Sequence, residues 1–128
     1  MILYHFTSLF NLKNVGPENI LAVGLKAQPA RQPVVGPIPD CVWLTSNPDM
    51  PKDYSSFAEV RIELVIPSSD KRLVPYPKYF RKHTGHAIDI VKIPQTEEAK
   101  RFYLYFGDIP LSALRVVNYG PGFEPNAA

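Results

Sequence analysis

Fourteen prolines divide this chain of 128 residues into short apolar runs, and they restrict the helices and strands that it can form. Proline fixes its own φ and has no amide hydrogen, so it is excluded from helix interiors and from central strands. Residues 27–41 contain four prolines and are predicted to form a surface loop. Aromatic residues make up 12% of the chain, which favours ordered loops over disorder. We therefore expect short strands joined by long, ordered loops.

The length of the chain predicts one domain over residues 1–128, with residues 120–128 as a loose C-terminal tail. Its net charge of +2 comes from 14 basic and 12 acidic residues, a balance that does not by itself indicate nucleic-acid binding. Cys41, the single cysteine, cannot form an internal disulfide, which predicts a reducing, cytoplasmic location. No apolar run reaches the roughly 20 residues of a membrane helix, and no signal peptide is recognised, so no membrane partner is expected.

The clearest strand signal lies at residues 58–66, where apolar and charged side chains alternate. Val60, Ile62 and Leu64 are expected to face the core, with Glu63 on the other side. Further strands are predicted at residues 1–6, 41–45, 73–74, 101–106 and 114–119.

Short helices are predicted near the N-terminus. Thr7 or Ser8 can cap a first one, with apolar residues at 9, 12 and 15 on one face, and a second spans residues 17–23. Residues 76–81 are predicted to form either a helical turn or an aromatic loop. These elements together indicate a strand-rich α+β domain.

Two strands far apart in sequence carry polar residues inside otherwise apolar runs. The first contains His5 and Thr7, and the second contains Trp43, Thr45 and Ser46, beginning 38 residues after His5. A strand centre excludes such groups unless they are hydrogen-bonded or used for binding. If the two strands converge on one cleft, their side chains form a candidate nucleotide site.

Four segments carry a resemblance to a known family: YHFTS at the N-terminus, then NILAVGL, VWLTS and the late stretch RFYLYFGDIPLSALRVV. Together they resemble the small ADP-ribosyltransferase-fold proteins, which include the diphtheria-toxin-like branch and the DNA-modifying toxins of the DarT type. RNA 2′-phosphotransferases share that fold. The resemblance implies an α+β fold with short strands in two small sheets and one or two short N-terminal helices. It also implies NAD as the cofactor and a toxin-like transferase activity.

The resemblance assigns roles to residues of the first two strands. His5 and Thr7 match the first-strand histidine and hydroxyl that bind the adenosine side of NAD, and strand alternation puts both on one face. Trp43, Thr45 and Ser46 match the middle-strand element that flanks the nicotinamide pocket.

The third family element, a late glutamate that holds the nicotinamide ribose, is not in its expected place. Lys100 and Arg101 occupy that position, while Glu97 and Glu98 lie slightly upstream. Either glutamate can supply the carboxylate that stabilises positive charge on the ribose during transfer. If Arg101 occupies the site instead, its guanidinium suits phosphate better, because its planar fork matches phosphate oxygens.

The resemblance therefore implies an NAD-dependent ADP-ribosyltransferase that modifies a protein or a nucleic acid. Two alternatives stay open: a non-enzymatic module that binds a nucleotide or a partner, and an enzyme of RNA phosphate transfer. His83 and His86 lie three residues apart, but no third ligand accompanies them, so no metal site is predicted. The run at 76–83 mixes aromatic and basic residues, as nucleic-acid surfaces do, although a solvated loop explains it equally well.

Overall fold

The structure, a computed structural model, describes residues 1–8, 20–32, 35–49, 60–86 and 99–119. Seven strands are formed by these residues: β1 (Ile2–Thr7), β2 (Gln28–Gln32), β3 (Gly36–Thr45), β4 (Val60–Val65), β5 (Leu73–Pro75), β6 (Phe102–Tyr105) and β7 (Leu114–Tyr119). Two helices accompany them, α1 (Ile20–Val23) and α2 (Tyr76–Thr84), with a 3-10 turn at Leu111–Ala113. Within these described ranges, no helix has the length and apolar character needed to cross a membrane.

The seven strands belong to a single sheet in which every observed pairing is antiparallel. Their order is β5-β6-β3-β1-β4-β7, and β2 pairs with the first half of β3. The expected fold, an ADP-ribosyltransferase-like α+β arrangement of two small sheets with N-terminal helices, is therefore wrong. The physical reason is the central position of β1, which pairs with β3 on one side and β4 on the other and so joins all strands. The result is a sheet-dominated fold in which α2 is the one helix longer than four residues among the described residues.

Each face of the sheet carries its own hydrophobic core. Residues directly opposite each other on paired strands point to the same face, so Leu3, His5 and Thr7 share one face with Leu64, Ile62 and Val60. We call this the His5 face. Its core is formed by buried residues of the strands and of three loops: Leu3, Leu25, Val42, Leu44, Val60, Ile62, Leu64, Ile66, Tyr105 and Ile109.

The opposite face is covered by α2, and we call it the α2 face. Tyr76, Tyr79 and Phe80 of α2 are buried against Leu104 of β6 and Cys41 of β3. A helix forms here because Pro77 suits its first turn, while Gly85 ends it in the left-handed conformation, with φ of 76°. Of the two alternatives predicted for residues 76–81, the helical one is confirmed, and the helix runs on to Thr84.

The described part of the proline-rich segment 27–41 consists mainly of two paired antiparallel strands, β2 and the first half of β3, so its prediction as a surface loop is wrong. β2 lies outside the main strand order and pairs with β3 alone, and the register shifts between Gln28 and Ala30. Pro29 therefore sits at an irregularity, one of the places where a strand tolerates a residue without an amide hydrogen.

Other predicted elements are confirmed where the structure describes them. The strand predicted at 58–66 is β4, and those predicted at 73–74 and 114–119 are β5 and β7. Of the second N-terminal helix, predicted over 17–23, the described part is the four-residue α1 over Ile20–Val23, and residues 17–19 lie outside the described ranges. The helical face predicted at 9–15 and the tail predicted at 120–128 lie outside the described residues.

Candidate functional site

The hydrogen-bonded ladder of the sheet is interrupted between its two central strands. β1 pairs with β4 at every residue from Ile2 to Thr7, but with β3 only through Tyr4 and Thr45. β3 meanwhile continues its pairing with β6 from Val42 to Thr45. We call the line between residues 5–7 of β1 and 42–44 of β3 the β1–β3 seam. Irregularities in a sheet are common next to functional sites, so we take the seam as the candidate site of this fold.

His5 bridges the seam with its side chain. Its Nδ1 lies 2.8 Å from the backbone carbonyl oxygen of Trp43. A carbonyl oxygen only accepts, so Nδ1 carries the hydrogen and donates it. Burial lowers the pKa of His5 below its ordinary value of 6.5, more than the bond to Trp43 raises it. The ring is therefore neutral at pH 7, and its Nε2 has a lone pair with which to accept a hydrogen bond.

The predicted site residues fall into two pairs on opposite faces of the sheet. Thr7, 8% exposed, lies with His5 on the His5 face, opposite Val60. Trp43 and Thr45 lie on the α2 face, because Thr45 pairs with Tyr4 rather than with His5. A single cleft lined by the side chains of all four is therefore not formed. Trp43 meets His5 through its backbone carbonyl alone.

Trp43 and Thr45 both have structural partners on the α2 face. The indole ring lies 5.2 Å from the ring of Tyr76 and 5.8 Å from that of Phe102, centroid to centroid. Thr45 is 2% exposed, and its hydroxyl oxygen accepts a hydrogen bond of 3.1 Å from the amide of Asn47. These contacts make Trp43 a packing residue between β3 and α2, and Thr45 the start of a turn.

The remaining candidates lie at the end of β3 and before β6. The amide of Ser46 donates to the carbonyl oxygen of Arg101 at 3.0 Å, and both residues are exposed. Glu97 and Glu98 lie outside the described residues. Glu63, another acidic residue near the site, is on the α2 face, where its carboxylate forms an ion pair of 3.3 Å with Arg115 Nε.

A polar network on the α2 face was not predicted from the sequence. Arg61 is half-buried, and its guanidinium lies 5.3 Å from the ring centre of Tyr4. Its Nη1 donates to the carbonyl oxygen of Pro48 at 2.9 Å, and its Nη2 donates to Asn118 at 3.3 Å. The turn after β3 thus folds back over β1 and β4. Asn47 and Pro48 are typical turn-forming residues, and they are the sequence signal that could have predicted this turn.

Comparison with known proteins does not identify a family for this chain. No protein-family model matches the sequence, and no match was found among curated proteins or solved structures.

Proposed function

We propose that the β1–β3 seam binds NAD and that the protein is an ADP-ribosyltransferase acting on a protein or nucleic acid. The observation that carries this proposal is the hydrogen bond from His5 Nδ1 to the Trp43 carbonyl oxygen, 2.8 Å long. It fixes the tautomer of the ring and presents Nε2 as an acceptor. A ribose hydroxyl is a donor that fits such an acceptor, and the resemblance of the first strand to ADP-ribosyltransferases supports NAD as its source.

The charge state of His5 favours a ribose hydroxyl over a phosphate. Burial lowers the pKa of His5, so the ring is neutral at pH 7 and offers no positive charge to an anion. A neutral ring whose Nδ1 hydrogen is already donated has only a lone pair left at Nε2. RNA phosphate transfer therefore receives less support from this residue than ribose binding does, and it would depend on Arg101 instead.

A nucleotide-binding module without turnover is the second candidate. It is favoured by the position of Glu63, whose carboxylate pairs with Arg115 on the face opposite His5. The transferase hypothesis, in contrast, requires Glu98 or Glu97 to supply the carboxylate that stabilises positive charge on the ribose. Our proposal includes a cytoplasmic location, which the free, buried thiol of Cys41 supports.

Titration of the full chain with NAD by calorimetry, with nicotinamide release measured in the same sample, tests the proposal. His5→Ala is expected to weaken NAD binding by about 1–3 kcal/mol, because it leaves the ribose hydroxyl without its acceptor, Nε2 of His5. That is roughly 5- to 150-fold in Kd. His86→Ala is the matched control, since His86 is exposed after α2. This variant should bind NAD with the affinity of the wild type.

Two outcomes decide between the candidates. Nicotinamide release that Glu98→Gln or Glu97→Gln abolishes, with NAD affinity retained, supports the transferase, because only the transition-state charge is lost. Binding of NAD without release, in the presence of water, protein and nucleic-acid acceptors, supports the binding module. Unchanged NAD affinity in a folded His5→Ala variant removes His5 from the site, and with it the proposal.

A further inference from the structure

The outer side of α2 is a concentrated positive surface. Lys78, Arg81 and Lys82 are all exposed, and their spacing of three and four residues puts them on one side of the helix. The aromatic residues of α2 occupy its other side, buried against the sheet. The helix is therefore divided cleanly into a packed aromatic side and a solvated cationic side.

This surface holds a large share of the chain's basic residues. Residues 71–86 contain five of the 14 lysines and arginines and no acidic residue, although the whole chain has a net charge of only +2. One of the five, Arg72, is neutralised by a 3.1 Å ion pair with Asp70. The cations of α2 itself form no ion pair with any carboxylate of the described residues, whereas Lys26 and Arg115 elsewhere are paired. Such a cluster of exposed cations attracts a polyanion.

An exposed flat ring lies beside these cations. His83 stacks on Tyr79 with ring centres 3.9 Å apart and an angle of 23° between the planes. Its Nδ1 bonds to the carbonyl oxygen of Tyr79 at 2.9 Å, which holds the ring in place. One side of His83 is covered by Tyr79 while the residue as a whole is exposed, so the ring can receive a further flat group.

We propose that α2 binds a single-stranded nucleic acid, with phosphates on Lys78, Arg81 and Lys82 and a base stacked on His83. Cations that follow the backbone, next to a ring that stacks on a base, are the two features by which proteins bind single strands without sequence preference. An anionic membrane fits less well. A helix at a membrane surface inserts its apolar side, and the apolar side of α2 is buried in the protein.

This surface does not depend on the NAD site, because α2 and His5 lie on opposite faces of the sheet. The proposal is tested by fluorescence anisotropy with labelled oligo-dT and oligo-U of 20 nucleotides over a range of salt concentrations. The test pair is Lys78→Gln/Arg81→Gln. The matched control is Lys26→Gln/Arg115→Gln, which removes the same two charges from positions paired with Asp108 and Glu63.

The double variant Lys78→Gln/Arg81→Gln, called the α2 pair below, is expected to bind the oligonucleotides at least tenfold more weakly than the wild type at low salt. It should also reduce the slope of log K against log salt by about 1.4, since each lost phosphate contact on a single strand is worth about 0.7. The control pair should keep the wild-type slope. His83→Ala is expected to weaken binding about fivefold or more, and His83→Phe, which keeps a flat ring, should restore it.

Three results would overturn the proposal. The first is equal affinity and slope for the α2 pair and the control pair, with both folded by circular dichroism. The second is competition by polyglutamate as effective as that by oligo-dT at equal charge, which would make the surface a site for acidic protein segments. The third is binding to vesicles containing phosphatidylserine, with none to either oligonucleotide. Preference between oligo-dT and oligo-U identifies the strand as DNA or RNA.

Discussion

Asp70 shows how much one side chain can organise in this structure. Its carboxylate accepts from the backbone amide, Nε and Nη2 of Arg72 at 3.0–3.1 Å, and from the hydroxyl of Tyr105 at 2.9 Å. The guanidinium of Arg72 in turn lies over the ring of Tyr105, 5.1 Å from its centre. Three residues thereby tie the turn before β5 to β6. The bonds from Arg72 lower the pKa of Asp70 from 3.8 to about 2.

We predict that Asp70→Asn lowers the melting temperature at pH 7 by a few degrees. The asparagine side chain has one acceptor oxygen and no negative charge, so the charge-assisted hydrogen bonds from Arg72 to two carboxylate oxygens are lost. The folded pKa lies below the unfolded one, so the stabilisation is present above pH 3.8 and is lost as the pH falls through about 2. Melting curves of both proteins from pH 2 to 7 should therefore converge at the acidic end.

The exposed carboxyl group of Asp40 provides the comparison for that series. Asp40→Asn should leave the melting temperature at pH 7 within about a degree of the wild-type value, because an exposed side chain with no partner among the described residues contributes little to stability. A constant difference between wild type and Asp70→Asn down to pH 2 would contradict the role given to the carboxylate charge.

At the scale of elements, the connection after α1 depends on one close approach of backbone to backbone. Leu25 and Ile109 form an isolated antiparallel bridge with two 2.8 Å hydrogen bonds. Gly24 precedes the bridge with φ of +83°, and a Cβ there would press on the carbonyl oxygen of Ile109 and lie 2.7 Å from the amide nitrogen of Leu111. Only glycine fits both the conformation and the space.

Gly24→Ala is expected to destabilise the protein by about 1–3 kcal/mol more than Gly85→Ala, as overpacking does. Gly85 is the control because its φ is +76° but its Cβ would meet nothing within 4 Å. Both variants carry the cost of a left-handed alanine, about 1–2 kcal/mol, and only the first disturbs the bridge. Urea denaturation measures both, and equal losses would show that the contact with Ile109 and Leu111 relaxes freely.

Elements were predictable from the sequence where a periodic pattern decided them. The alternation of Val60, Ile62 and Leu64 predicted β4, and all three are fully buried. The hairpin of β2 and β3 was missed because proline usually marks loops, and only the pairing partner shows that Pro29 lies at an irregularity of a strand outside the main sheet order.

The site was predictable only within single strands. Alternation correctly puts His5 and Thr7 on one face, but it cannot relate them to Trp43 and Thr45, because strand register comes from tertiary pairing. The register Tyr4↔Thr45 fixes this relation, because it puts Trp43 and Thr45 on the α2 face, opposite His5 and Thr7. The bond from His5 to Trp43 involves a backbone carbonyl, which no sequence pattern reveals.

At the scale of the whole molecule, one sheet separates two cores, and no buried side chain of the described residues belongs to both. Ile62 belongs to the core of the His5 face and is 0% exposed. Trp43, the single tryptophan, packs against Tyr76 and Phe102 on the α2 face. Both cores rest on the same central strands, so the loss of either one removes the support of the other. A chain of this size is expected to unfold in one cooperative step.

Ile62→Ala tests that coupling. It should cost about 2–5 kcal/mol through lost burial and the cavity left behind, and this loss should move the unfolding transition of Trp43 fluorescence as far as that of far-ultraviolet circular dichroism. Val65→Ala, on the same strand but 45% exposed, should change stability by no more than about 0.5 kcal/mol. If the Trp43 transition stayed at the wild-type urea concentration while the circular dichroism transition moved, the two cores would unfold independently. The sheet would then act as a partition between two units rather than as their common support.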